Sequence, residues 1–201
     1  TVSFLLLATL VLSGLIIFNF IKDHLLLLLI TIFMAAIFLF SISISCNCFT
    51  NETIAKFELG YSPDQWEAFT GDAIKQGYQE EFLVESGLSV KRDNGSLYDR
   101  YRGRVMFPIH SFTGRIIAFG GRTLKSDKNV PKYVNSPESE IYHKSNVLYG
   151  LYFAKKAIRE DDNCYLVEGY ADVLSVHQAG IENVVASSGT SLTVEQIRLI
   201  S

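Results

Sequence analysis

The apolar and polar positions divide the chain into two unlike parts. From Phe4 to Ile21 the residues are almost wholly apolar, Lys22-Asp23-His24 interrupts them, and Leu25 to Ser45 forms a second apolar run. A membrane-spanning helix requires ~20 apolar residues. Residues 1–49 therefore predict an apolar helical hairpin with two spans and a short polar turn. Two runs of this length exceed the single apolar region of a secretory signal. The same Leu, Ile and Phe bias also arises when T-rich, low-complexity DNA is read in a stray frame, so an artefactual segment is the alternative. The pattern changes abruptly near Phe49.

Beyond Phe49 the periodicities are those of a mixed α/β protein. Ser62-Pro63-Asp64-Gln65 reads as a capped helix start, with Trp66, Phe69 and Ala73 as its apolar face. A second short helix fits Gln79–Ser86, ended by Gly87. "RYRGRVMFPIHSFTGRIIAFGGRTL" reads as a β-hairpin, with strands at Val105–Ile109 and Ile116–Phe119 and a turn near Thr113-Gly114. Gly120-Gly121 is expected to break the second strand. "PKYVNSPESEIYHKSN" is polar and turn-rich, and reads as loop. Ser145 is then placed to cap a helix carrying Val147, Leu151, Ala154 and Ile158 at helical spacing. Tyr149, Tyr152 and Phe153 widen that face as core residues. Two βα units follow: "CYLVEG" with "YADVLSVHQAG", then "ENVVAS" with "TVEQIRLIS", where Thr193 and Gln196 form a capping box. Successive βα units predict parallel strands with a right-handed crossover.

Charge sharpens this division. The chain has 201 residues and a net charge of −3. From Lys91 to Lys132, however, ten Lys and Arg face only Asp93, Asp99 and Asp127. A basic strip inside an acidic protein is the footprint expected for polyphosphate binding. Alternation in "RYRGR" predicts that Arg100, Arg102 and Arg104 share one strand face. The three cysteines include Cys46-x-Cys48, too closely spaced for a zinc knuckle, and Cys164 inside an apolar run. They give neither a disulfide framework nor a metal finger, which fits a reducing, cytoplasmic setting.

The candidate chemistry lies where the first βα strand ends. In open α/β sheets, ligands bind beyond the carboxyl ends of the strands. Glu168 occupies such an end, and the loop Ser187–Ser191 occupies the next. Gly169 suits close backbone approach or a sharp turn. Asp172, four residues after Glu168, can face the same ligand, and two carboxylates there suit Mg²⁺. An acid in a first helical turn is also favourable by itself, by about 0.3–1 kcal/mol, so Asp172 has a purely structural reading as well. His177 has no His or Cys partner nearby and reads as structural. Ser187 and Ser188 read as loop hydrogen-bonders.

The hairpin, the "PKYVNSPES" segment, "LVEGYADVLSVHQAGIENVVASSGTSLT" and "ETIAKFELGYSPDQW" together resemble the catalytic core of bacterial replicative DNA primases of DnaG type. The likeness spans about residues 51–201 and is absent from 1–49. It implies a small α/β subdomain over 50–160 and the N-terminal part of a Toprim domain over 161–201. It implies synthesis of RNA primers from ribonucleoside triphosphates on a single-stranded DNA template, with Mg²⁺ or Mn²⁺, in the cytoplasmic replisome. By this resemblance Glu168 and Asp172 are the catalytic and metal-binding acids. Arg102, Arg104, Arg122, Lys132, Asn135 and Lys144 contact template or nucleotide. Another Toprim enzyme, of topoisomerase or nuclease type, is the alternative, and a membrane-tethered nucleic-acid-binding remnant is a third reading.

The departures from the family pattern are specific. No zinc-ligand set is present in the sequence, and the basic residue expected before "ETI" is replaced by Cys48-Phe49-Thr50. The Toprim Asp-x-Asp pair is expected on a strand beyond Ser201, and the helicase-binding domain is likewise absent, so this chain alone is expected to make no primers. If 1–49 is genuine, it would add membrane association. Neutralising Arg102, Arg104 and Arg122 together is expected to weaken single-stranded DNA binding and flatten its salt dependence, because fewer counterions are released. Anisotropy titrations across a NaCl series measure both.

Overall fold

The computed structural model describes residues 49–201 except Lys128 and Thr190. The helical hairpin expected over 1–49 lies, apart from Phe49, outside the described residues. Among the described residues no helix is long and apolar enough to cross a membrane.

A short helix, α1 (Asn51–Lys56), leads to strand β1 (Gly60–Ser62). Helices α2 (Ala68–Lys75) and α3 (Glu80–Glu85) follow, then a small hairpin of β2 (Ser89–Lys91) and β3 (Leu97–Asp99). The long hairpin is β4 (Arg104–His110) and β5 (Ile116–Thr123), and β6 (Tyr133–Asn135) pairs with β5. These build an antiparallel sheet in the order β1-β4-β5-β6. After a 3₁₀ turn at Lys144–Asn146 come α4 (Leu151–Asp161), β7 (Tyr165–Val167), α5 (Tyr170–Gln178), β8 (Val184–Ala186) and α6 (Val194–Arg198). Strands β7 and β8 are parallel, as two successive βα units require. One apolar core joins the two sheets: Phe57, Phe107 and Ile109 pack with Tyr149, Tyr170, Val173 and Leu174.

Five local expectations are corrected. Ser62 does not start a helix; it pairs with Arg104 at the end of β1, and α2 begins at Ala68. The cap is supplied from far along the chain. The buried Asp99 carboxylate accepts the N–H groups of Phe69 and Thr70, each at 2.8 Å, and the Thr70 hydroxyl at 2.6 Å. A charged acceptor on free helix N–H groups outweighs a neutral Ser cap. Of the expected apolar face only Ala73 is buried; Trp66 and Phe69 are exposed.

Gly120-Gly121 does not break β5, which runs on to Thr123. A Cβ at Gly120 would lie 2.4 Å from the Tyr170 ring, and one at Gly121 would lie 2.5 Å from the Tyr101 ring. The glycines admit two aromatic rings onto the strand rather than ending it. The "RYRGR" arginines do not share a strand face, because Arg100–Gly103 is a turn closed by Gly103 at φ +66°. Within "PKYVNSPES" three residues form β6. The helix expected from Ser145 starts only at Leu151, after Gly150 at φ +84°. The Thr193–Gln196 capping box is present, and the fully buried Gln196 amide also donates to the Val147 and Lys144 carbonyls.

His177 is structural, as read from the sequence. It lies buried on α5, edge-on to Phe57 with ring centroids 5.0 Å apart. Burial, and then the nearby Lys56 charge, push its pKa below the usual histidine value. The folded state therefore binds fewer protons than the unfolded chain. This contribution to stability is complete above the unfolded value of 6.5 and is lost as pH falls through the folded one. Urea midpoints measured between about pH 7 and pH 5 are expected to fall less steeply in His177→Gln than in the wild type. Gly120→Ala is expected to lose about 1–3 kcal/mol in the same assay, since neither the ring nor the strand can move freely.

Candidate functional site

The site forms where the end of β7 meets the end of β6. Glu168 follows the last residue of β7 and is exposed. Gly169 is extended at φ −141°, and Asp172 in the first turn of α5 accepts its N–H on Oδ2 at 3.0 Å. Asp172 thus fulfils its structural reading with one oxygen, and the second is not needed for that turn. A Cβ at Gly169 would make only an ordinary 3.5 Å contact with Asp172, so neither a strained turn nor crowding demands this glycine.

Tyr170 ties the acidic turn to the antiparallel sheet. Its ring stacks on Phe107 at 5.4 Å and meets Tyr149 edge-on at 4.7 Å. Burial holds the phenol far above its ordinary pKa, so it remains a proton donor. It donates to Asn135 Oδ1 at 2.8 Å, which leaves the Asn135 amide NH₂ as that side chain's remaining donor group. Next to Asn135, Tyr133 is half-buried, with the Arg122 guanidinium 5.9 Å from its ring centroid. Burial raises the Tyr133 pKa; the Arg122 charge opposes that shift and the Asp172 charge adds to it. Asp172, Arg122, Tyr133 and Asn135 therefore converge on one region, and Glu168 precedes Asp172 by four residues in the chain.

Among the described residues no group of three or more His, Cys, Asp or Glu side chains is placed to hold a metal. Glu168 and Asp172 supply carboxylate oxygens, the donor type that a hard cation such as Mg²⁺ takes along with waters and substrate phosphates. They do not fit a structural zinc ion, which takes four Cys or His ligands.

A second feature is a cleft of about 490 Å³ lined by Trp66, Arg92, Tyr98, Arg100, Arg102 and Lys125, among others. Arg102 lies 3.5 Å from the Trp66 ring centroid, and Arg92 lies 4.9 Å from both the Trp66 and Tyr98 centroids. Aromatic rings interleaved with cations suit single-stranded nucleic acid, whose bases stack while its phosphates pair. Trp66, Tyr98, Arg92 and Lys125 were not among the sequence-derived candidates. The signal for Trp66 was its strongly polar setting, Asp64-Gln65-Trp66-Glu67, which is unlike a core tryptophan.

The remaining candidates divide. Arg104 is buried, and its Nη1 donates to the carbonyls of Gly121, Pro131 and Lys132. It fastens the 131–132 segment to the hairpin, at the wall of the same cleft that Arg100 and Arg102 line. Lys132 has an exposed side chain on that fastened segment. Lys144 opens the 3₁₀ turn, where its N–H donates to Glu138 Oε1 at 3.1 Å and its carbonyl accepts from Gln196.

Residues 44–155 match the family described as the N-terminal domain of the DNA primase catalytic core, and residues 162–201 match the Toprim domain. The chain belongs to the DNA primase catalytic-core family. It is 50% identical over 153 residues to the DNA primase of Halalkalibacterium halodurans and 44% identical over 151 residues to that of Escherichia coli. These alignments cover 76% and 75% of this chain but 25% and 26% of the two relatives, so the chain spans about a quarter of their length. The fold is similar to the RNA polymerase domain of Mycobacterium tuberculosis primase DnaG, with TM-score 0.71 and 34% identity, covering 78% of this chain and 50% of that one. A DnaG primase catalytic domain bound to ssDNA gives TM-score 0.68 and 42% identity, covering 79% and 50%. The match over 44–155 separates the chain from topoisomerases and nucleases that share only a Toprim domain.

Arg104→Gln is expected to lower the unfolding free energy by about 2–3 kcal/mol, because it strips a buried charged donor from three carbonyls. Arg102→Gln, at a half-exposed side chain, is expected to change it by less than about 1 kcal/mol while weakening single-stranded DNA binding. Urea denaturation and oligonucleotide titration of the two variants separate these roles.

Proposed function

We propose that this chain is the template- and nucleotide-binding part of a DNA primase, acting in the synthesis of RNA primers on single-stranded DNA. The observation that carries the reading is the convergence at the end of β7. Asp172 lies near Tyr133 and Arg122, beside the Asn135 amide that Tyr170 holds, and Glu168 precedes Asp172 by four residues at the end of β7. Carboxylates for a metal, cations for phosphates and an oriented amide are what nucleotidyl transfer requires, since that chemistry depends mainly on positioning and charge stabilisation.

In this reading Glu168 and Asp172 hold Mg²⁺ or Mn²⁺, which when bound neutralises triphosphate charge. Arg122, Lys132, Asn135 and Lys144 hold the incoming ribonucleoside triphosphate. Arg102, with Trp66 and the neighbouring cations, carries the template. The chain acts in the cytoplasm at the replication fork, and a replicative helicase is the partner of the full-length protein. The family match over residues 44–155 and the complex of a related catalytic domain with ssDNA support this assignment.

Trp66 is the only tryptophan in the chain, so its emission reports on the cleft directly. Oligo(dT) is expected to quench it and salt to reverse the quenching. In wild-type protein, Mg²⁺ is expected to tighten ATP binding measured by calorimetry, and in Glu168→Gln that Mg²⁺ effect is expected to disappear. An undiminished Mg²⁺ effect in Glu168→Gln would remove Glu168 from the metal site.

A further inference from the structure

Asp64 lies at the cleft and pairs with two of its cations. Oδ1 accepts from Arg102 Nε at 3.1 Å, and Oδ2 accepts from Lys125 Nζ at 2.6 Å. Two oxygens of one anion, each bound to a different cation, reproduce the way a phosphodiester presents its two non-bridging oxygens. The same Arg102 lies on the Trp66 ring at 3.5 Å, covering a face on which a base would stack. Both kinds of contact that a strand would make here are therefore occupied by the protein's own groups.

The surrounding backbone accommodates this arrangement. Gly103 adopts φ +66°, and a Cβ there would come within 3.2 Å of Asp64 Oδ1, so the glycine leaves room for the carboxylate. The Lys125 hydrogen bond, and then the Lys125 and Arg102 charges, hold the Asp64 carboxyl below its usual pKa, so it is ionised at neutral pH. The pairs are not deeply held. The side chains of Asp64 and Lys125 are 43% and 56% exposed, and exposed ion pairs exchange readily.

We propose that the Asp64 carboxylate occupies the seat of one backbone phosphodiester of a bound single strand, and that it sets the affinity of the cleft by competing for Arg102 and Lys125. The inference rests on the assignment of the cleft to single-stranded nucleic acid. Lys125 becomes a phosphate ligand, and Asp64 becomes an internal competitor that the strand must displace. A competitor of this kind lets the chain release and re-engage a template that has to move through the cleft.

The test is a Trp66 fluorescence titration with oligo(dT) across a NaCl series, using the full chain. Asp64→Asn is nearly isosteric and removes only the charge. It is expected to bind at least ~threefold tighter at low salt, with a salt slope steeper by up to about 0.7 for one added phosphate contact. Lys125→Gln added to Asp64→Asn is expected to cancel the gain. Glu160→Gln, the same charge change on a helix that does not line the cleft, serves as the control for net charge and is expected to change affinity less than twofold. Unchanged or weaker binding by Asp64→Asn overturns the proposal and makes Asp64 a group that positions the two cations. A gain matched by Glu160→Gln also overturns it, as an effect of net charge alone. Absence of binding by the wild-type chain would overturn the cleft assignment itself, an outcome distinct from the other two.

Discussion

Tyr170 fills the space that Gly120 leaves open, and its hydroxyl ends on Asn135. Through this one side chain the parallel βα units and the antiparallel sheet share a core and a site. The ring is clasped by Phe107 from β4 and by Tyr149 from the segment before α4. The chain position is equally telling, since Tyr170 follows Glu168 by two residues and precedes Asp172 by two. Whatever fixes this ring also fixes the turn that presents both acids. Apolar burial and site geometry are here one constraint, which is why the strand opposite the ring contains a glycine where β propensity would favour a branched residue.

The sequence conveyed the local elements well and the distant contacts poorly. The parallel βα units, the α6 capping box and the long hairpin were legible because period, caps and turn residues lie within a few positions of each other. The α2 start was missed because its cap, Asp99, comes from a strand about thirty residues on. The strand break at Gly120-Gly121 was misread because the partners that need the space, Tyr170 and Tyr101, belong to other elements. In the candidate site, the position of Glu168 at the end of a parallel strand was legible from the apolar run before it. The "RYRGR" alternation gave the wrong local structure, because Arg100–Gly103 is a turn, yet Arg100, Arg102 and Arg104 line one cleft, with Arg104 bound to backbone carbonyls.

That division between Arg102 and Arg104 shows how the basic strip is used. Arg104 is spent on backbone carbonyls, so its charge shapes the scaffold more than it attracts a ligand. Arg102 and Lys125 remain near the surface, tempered by a single acid. A strip that looks uniform in sequence is graded in space, from structural cation to ligand-facing cation. The net charge of a segment is therefore a poor measure of its affinity for a polyanion.

The Asp99 cap also couples two elements that are distant in the chain. Helix α2 has eight residues, well below the length at which a helix persists alone in water. Its first turn has no local acceptor and depends on a carboxylate delivered by the β2–β3 hairpin. The helix is therefore held only while the hairpin is closed, so the two elements depend on each other. Tyr98 stands on that hairpin and Trp66 just before the helix, so the Asp99 carboxylate joins the two supports of the cleft's aromatic wall.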